Sequence, residues 1–298
     1  MDPSVDKKRT ALIAVRTALL IALAAGTSSA CERGGSDAPA GPPHRIVTTT
    51  PSATELVAVA GGASLLVGRD RFSTYPPEVK RLPVVGDFVS PSVEAILQLK
   101  PDLVVLDAVQ VRTAEALRAG GVRTLVLEMH TIEDVLDGLT QVGHAVGAAD
   151  RAAQTRARLQ GAIARARSLG LARARRPRVL LIQDREVGAL RSLVACGPGS
   201  YLDELVTLLG GENVLAGSSV RYPKISPETV IEAAPDIILD ATFTGDPDAA
   251  LRDWNALVAV PAVAKHRIHM LGSEATGYFV SPGPRFEVAL AGLEKMLE

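Results

Sequence analysis

Flat aromatic rings stack on flat, partly apolar ligands, and this 298-residue chain has only ten of them: five Phe, four Tyr and one Trp. Eight fall in or beside segments expected to be loops at strand ends: Phe72, Tyr75, Phe88, Tyr201, Tyr222, Phe243, Tyr278 and Phe279. In open α/β sheets ligands gather beyond the carboxyl ends of the strands. Rings placed there suit a large, flat, partly apolar ligand. The candidate ligand-binding set is therefore Phe72, Tyr75, Phe88, Tyr201, Tyr222, Phe243 and Tyr278. Arg71, Arg185 and Arg191 are candidates to meet polar or anionic groups of such a ligand, and Arg185 joins the set.

Two acids form a second constellation. Glu94 and Glu228 each follow a serine or proline in the first turn of an expected helix. One sufficient reason is local, since a carboxylate there gains about 0.3–1 kcal/mol from the helix dipole. The other reading is docking. One exposed acid on each half of the molecule fits a two-fold partner with basic pockets, where rim charges steer and register an encounter.

Enzyme signatures are missing, so no catalytic residues are assigned. There is no G-x-S-x-G, no G-x-x-x-x-G-K-[ST] and no H-E-x-x-H. Gly197-Pro198-Gly199-Ser200 precedes a helix and reads either as an anion site or as a structural turn. His266 and His269 fall on opposite faces of one strand, a poor arrangement for a shared metal, and no metal site is expected. The formal net charge of −1 gives no reason to expect nucleic acid or an anionic membrane surface as a partner.

The elements that must position these groups alternate. Strands are predicted at 45–49, 65–68, 103–106 and 124–127, with helices at 52–60, 91–99, 111–119 and 132–146 between and after them. Ser52 is the expected cap of the first helix, with Glu55 closing a capping box. This is βαβ rhythm, and a parallel, doubly wound sheet follows from it. Residues 150–174 break the rhythm with Ala, Arg, Leu and Gln and no Pro, which predicts one long helix; Gly161 and Gly170 weaken it, each by about 1 kcal/mol relative to Ala. Its arginines read as a solvated face. Alternation then resumes with strands at 178–182, near 214, at 237–239 and at 268–271, and helices at 201–209, 227–233, 250–257 and 285–297. The expected fold is α/β: an N-terminal lobe (44–147), a linking helix (148–174) and a C-terminal lobe (175–298), with a ligand cleft between the lobes.

The chain nearly repeats itself. Shifting by 134 positions carries Ser92, Glu94, Pro101 and Asp102 onto Ser226, Glu228, Pro235 and Asp236, and Phe88 onto Tyr222. A second echo aligns Pro51-Ser52-Ala53-Thr54-Glu55-Leu56 with Ser200-Tyr201-Leu202-Asp203-Glu204-Leu205, each ending at a Gly-Gly pair. Two similar lobes imply a cleft, and a cleft implies a ligand.

The first 30 residues read as an export signal: a basic start at Lys7-Lys8-Arg9, an apolar stretch at 18–25 too short to span a bilayer, and small residues before Cys31. Cys31 resembles the lipid-modified cysteine of bacterial lipoproteins, with Ser28 standing where a branched aliphatic residue is usual; plain cleavage after Ala30 is the other reading. Residues 31–43 read as a flexible tether rich in Gly, Pro, Ser and Ala. Cys196 reads as a small buried hydrophobe.

Six segments carry a family likeness: R-I-V-T-T-T-P-S-A-T-E-L (45–56), Y-P-P-E-V-K-R-L-P-x-V-G (75–86), V-E-A-I-L-Q-L-K-P-D-L-V (93–104), G-P-G-S-Y-L-D-E-L (197–205), L-G-G-E-N-V (209–214) and S-P-G-P-R (281–285). With the Glu228 segment, they make the chain resemble the solute-binding proteins of bacterial cobalamin, ferric-siderophore and heme ABC importers. The resemblance implies a monomeric, exported receptor that is no enzyme and that carries a metal chelate to an importer's transmembrane subunits. It implies a stiff linking helix, small lobe closure, and arginines of those subunits as partners for Glu94 and Glu228. Similarity is greatest to the cobalamin receptors, so a corrinoid is the expected ligand, with ferric siderophore or heme as the alternative. Tyr75, Phe88 and Tyr222 stand where those receptors carry pocket aromatics, Phe88 and Tyr222 each replacing a tryptophan. The cysteine pair of some cobalamin receptors is absent, and Ser281 stands where many relatives have Arg. A doubly wound enzyme that processes a metal chelate is the reading from another class; it needs a cofactor ligand set.

Overall fold

A computed structural model describes residues 41–244, 246–273 and 277–298. The predicted export signal, Cys31 and most of the tether lie outside the described residues. The first lobe runs β1 (Ile46–Thr48), α1 (Pro51–Val57), β2 (Leu66–Gly68), α2 (Val93–Gln98), β3 (Leu103–Asp107), α3 (Val111–Ala119), β4 (Thr124–Leu127) and α4 (Ile132–Ala145). Its four strands are all parallel in the order β2-β1-β3-β4, with Ile46 opposite both Leu66 and Leu103.

A single helix, α5 (Ala149–Ala172), leads out of this lobe and spans about 36 Å at 1.5 Å per residue. The second lobe runs β5 (Arg178–Asp184), β6 (Leu193–Ala195), α6 (Tyr201–Leu208), β7 (Glu212–Asn213), β8 (Lys224–Ile225), α7 (Pro227–Ala233) and β9 (Ile237–Asp240). It ends with α8 (Pro247–Asp253), α9 (Pro261–Ala264), β10 (Ile268–Met270) and α10 (Phe286–Met296).

The second sheet departs from the parallel expectation. Its order is β10-β9-β5-β6-β8, and β6 runs antiparallel to both β5 and β8. The link from β5 to β6 is too short for a parallel crossover, which needs a dozen or more residues, so the chain can only fold straight back. β7 pairs with the start of β5 in parallel, while β6 pairs with its end.

The repeated Pro-Asp dipeptides act alike in both lobes. Asp102 accepts the backbone N–H of His44 (2.8 Å) and of Arg45 (3.0 Å), while Asp236 accepts that of Arg178 (3.1 Å). Each carboxylate thus clips the start of one central strand to the neighbour it opens. The repeated serines cap: Ser92 Oγ accepts from Ala95 N and Ser226 Oγ from Thr229 N. The first helix starts differently from the sequence reading. Thr50, not Ser52, is its cap and accepts from Ala53 N at 3.1 Å. Pro51 fits the first helical position, where a locked φ and a missing N–H are tolerated, and Glu55 is drawn elsewhere.

One continuous apolar core holds both lobes, running from Ile46 and Leu56 through Leu159, Ala162 and Ala166 of α5 to Leu205, Phe286 and Leu297. α5 therefore buries small residues toward both neighbours. It continues past Gly170, where the sequence allowed it to stop, because glycine lets the helix touch the end of α6. A Cβ on Gly170 would lie 2.3 Å from the Leu208 carbonyl oxygen, and Gly210, with φ +80°, meets it from the other side.

These glycines give opposite outcomes for one substitution. Gly161→Ala meets only the tip of Arg165 at 3.7 Å and is expected to gain about 0.5–1 kcal/mol from helix propensity. Gly170→Ala is expected to lose about 1–3 kcal/mol net, because the overlap with backbone outweighs propensity. Urea unfolding of both variants checks the pair of signs.

Candidate functional site

Loops from the two lobes meet at a gap lined by rings. Phe72, after β2, and Phe243, after β9, lie edge to face with centroids 6.2 Å apart. Each is well exposed, 49% and 61%. Phe72 is held by a turn: buried Asp70 accepts the N–H groups of Phe72 and Ser73 and the Ser73 hydroxyl. Burial raises the Asp70 carboxyl above its ordinary range against those hydrogen bonds. Arg69 fixes the following segment by donating to the Val79 and Lys80 carbonyls.

At a second contact between the lobes a guanidinium joins two tyrosines. Arg285, the residue before α10, lies 4.3 Å from the Tyr75 ring centroid and 5.3 Å from that of Tyr278. Tyr75 belongs to the first lobe and Tyr278 to the second, and both sit beyond strand ends, after β2 and β10. Arg285 also forms an ion pair across the lobes with Glu55 of α1, a buried residue. Burial raises the Glu55 carboxyl above its ordinary range, opposed by the arginine.

Glu55 has a counterpart. The echo sets it against Glu204 of α6, whose carboxylate accepts the N–H of Ile132 at 2.7 Å. Ile132 is the first residue of α4, and Arg285 immediately precedes α10. Each lobe's first helix thus sends a glutamate to the N-terminal end of a helix in the other lobe. Burial raises the Glu204 carboxyl as well. Sequence reasoning missed both glutamates and Arg285 as site residues, although the echo and the S-P-G-P-R segment contained them.

Residues 46–275 match a family model described as Periplasmic binding protein. The chain belongs to this family. It is 30% identical over 221 residues to the vitamin B12-binding protein of Salmonella typhimurium strain LT2, covering 74% of this chain and 80% of that relative. In structure it is similar to the periplasmic heme-binding protein of Roseiflexus sp. RS-1 in apo form, with a TM-score of 0.73, 28% identity and 85% and 97% of the two chains covered. It is also similar to an ABC transporter substrate-binding protein from Listeria monocytogenes EGD-e, with a TM-score of 0.71, 25% identity and 86% and 98% covered.

The remaining sequence candidates of this periplasmic binding protein divide. Phe88 is 40% exposed, and its loop is pinned by Gln110, which donates to the Phe88 carbonyl at 2.8 Å. Tyr222 is 37% exposed, and burial raises its phenol above the ordinary range. Tyr201 is not a wall of the gap. It is 2% exposed and donates its hydroxyl to the Tyr278 carbonyl at 3.0 Å, so it supports Tyr278 from behind. Burial, then the Glu55 carboxylate, pushes its phenol well above the ordinary range.

Arg185 is a second correction. Its side chain is wholly buried, with Nε on Asp240 (2.8 Å), Nη1 on Asp253 (2.7 Å) and Nη2 on the Ala250 carbonyl (2.6 Å). It lies over Trp254, whose indole N–H shares Asp240. Those partners commit it to fastening α8 onto β9, and a guanidinium buried this way is closed to a ligand. Phe279 is likewise core, packed where a Cβ on Gly292 would lie 2.7 Å from its ring. Residues 197–200 form a structural turn: Gly197 N donates to the Arg221 carbonyl and Gly199 N to Asp203. Cys196 is buried with its thiol pushed up to about 12 by burial.

Glu94 and Glu228 are exposed in the first turns of α2 and α7. The Ser226 hydroxyl holds the Glu228 carboxyl below its ordinary range.

Raised pKa values at Glu55 and Glu204 mean that the folded state holds these protons more tightly than the unfolded chain. Their contribution to stability is present below the ordinary carboxylate range and is lost as pH rises through the raised values. Glu204→Gln keeps an acceptor for the Ile132 amide but never ionises. Relative to wild type it is expected to gain stability as pH climbs from about 4 to about 7, measured by urea unfolding at each pH.

Proposed function

We propose that this chain is an exported receptor that captures a corrinoid, cobalamin first of all, and delivers it to the transmembrane subunits of an ABC importer. The observation that carries this reading is the meeting of rings from both lobes at one gap, Phe72 with Phe243 and Tyr75 with Tyr278 around Arg285. Rings of this kind bury a large macrocycle by contact and desolvation, and a few polar groups then fix its orientation. The relative named for vitamin B12 supports the choice of ligand. The receptor binds and delivers, and no chemistry is assigned to it. Acylation of Cys31 would anchor it, with 31–43 as the tether, and it would work as a monomer.

A second reading, heme, is favoured by the similar heme-binding structure and by the tyrosines beside the gap. Heme iron would call for an axial His or for a tyrosinate, with Tyr222 or Tyr278 to supply it. Burial acts against that at Tyr222 by stabilising the neutral phenol. A corrinoid brings its cobalt already held by the macrocycle and asks only for ring and polar contacts.

Titration calorimetry with cyanocobalamin, hemin and a ferric hydroxamate siderophore decides among these. Saturable binding of one cyanocobalamin per chain is expected. Saturation by hemin alone, with a new absorption band, transfers the assignment to heme.

Glu94 and Glu228 are proposed as the permease contacts, one on each lobe. Reversing both, Glu94→Lys with Glu228→Lys, is expected to abolish uptake in cells while leaving cyanocobalamin affinity unchanged. Normal uptake by that variant removes the docking role.

A further inference from the structure

One guanidinium is shared by the two lobes. Arg285 is tied by Glu55 of the first lobe, faces Tyr75 of the first lobe at 4.3 Å and faces Tyr278 of the second at 5.3 Å. Both ring distances are inside the roughly 6 Å reach of a cation–π contact. Its backbone is fixed too. Phe286 N donates to the Gly283 carbonyl at 3.0 Å, and a Cβ on Gly283 would lie 3.1 Å from Glu55 Oε2, so this turn rides closely over the carboxylate. Arg285 Nε is buried and has no hydrogen-bond acceptor among the described residues. Leaving a buried donor unmade costs free energy. The placement therefore favours ring contact over a full set of hydrogen bonds.

We infer that Arg285 is a positioning residue for ligand capture, which acts through Tyr75 and Tyr278 by clamping one ring from each lobe around a single cation. The inference rests on the gap being the ligand site. Tyr278 is already steadied through its carbonyl by Tyr201. Tyr75 is 39% exposed and is the ring that the arginine must hold. Glu55 neutralises the guanidinium, which would otherwise be too costly to keep mostly buried. Lysine can replace the charge but offers no planar face for stacking.

The test uses the full chain and two readouts. With 3-fluorotyrosine incorporated, the four tyrosines give four fluorine NMR lines, assigned by single Tyr→Phe changes. Arg285→Lys is expected to shift the Tyr75 and Tyr278 lines and leave that of Tyr222 in place; unmoved Tyr75 and Tyr278 lines overturn the clamp. In cyanocobalamin titrations Arg285→Lys is expected to weaken binding about tenfold, within the range of a desolvated cation–π contact. Added to Tyr75→Ala, it should weaken binding by much less than tenfold, because the arginine would have lost one of the two rings it acts through. Fully additive losses, or unchanged affinity in the single variant, overturn the proposal, and a merely structural arginine would give one of these. If Arg285→Lys does not fold, Glu55→Gln takes its place, with both lines shifted and affinity down about threefold. Failure of the wild-type chain to bind cyanocobalamin defeats the corrinoid reading alone, and the fluorine lines still decide the clamp.

Discussion

A buried carboxylate, Glu55, and a half-buried one, Glu204, cross between the lobes in opposite directions, and the geometry of the gap depends on that exchange. Glu55 leaves α1 for Arg285 at the start of α10, and Glu204 leaves α6 for the first amide of α4. A buried acid is a burden unless its partner is well placed. Each glutamate therefore fixes the distance between its own helix and a helix end in the other lobe. With two such ties, the lobes are held against sliding as well as against opening. The ring wall is built directly on one of them, since the arginine that receives Glu55 also faces Tyr75 and Tyr278.

The same constraint explains why the linking helix is made as it is. α5 must lie close to both lobes at once, so it buries Ala152, Ala162, Ala166 and Gly170 along with Leu159. Small side chains shorten the distance between helix axes, and Gly170 removes the last obstacle where α6 ends. The many arginines of α5 take the outer flanks. Arg156 pairs with Glu133 and Asp137 of α4, and Arg158 pairs with Glu287 of α10. Exposed pairs of this kind add little to stability, so the close packing of small residues is the stronger tie.

Much of this was legible in the residues. Alternating apolar runs gave the strands of the first lobe almost to the residue, because buried parallel strands are continuous runs of Val, Ile and Leu. The repeat located equivalent caps at Ser92 and Ser226 and equivalent clips at Asp102 and Asp236. Of the rings expected at strand-end loops, Phe72 meets Phe243, while Tyr75 and Tyr278 both meet Arg285. What was not legible depended on partners distant along the chain. Arg185 resembled a free cation until Asp240 and Asp253 enclosed it. Tyr201 and Phe279 resembled loop rings, yet they support the site from within the core. β6 carried too short a pattern to announce its reversal. The cap at Thr50 was hidden by a plausible Ser-x-x-Glu spacing whose glutamate had a distant task.

The shared apolar core that threads α5 has a further meaning for how the halves relate. Although the sequence reads as two kindred copies, residues from Ile46 to Leu297 pack in one uninterrupted cluster. Beside it each half keeps a smaller cluster of its own, around Ile96 and Leu117 in the first and around Leu180 and Trp254 in the second. Because the shared cluster is the largest of the three, the halves are symmetrical in plan but not autonomous, and melting should be one cooperative event instead of two. A frame held by a shared interior is complete before anything docks on it, so little binding energy would go into assembling it.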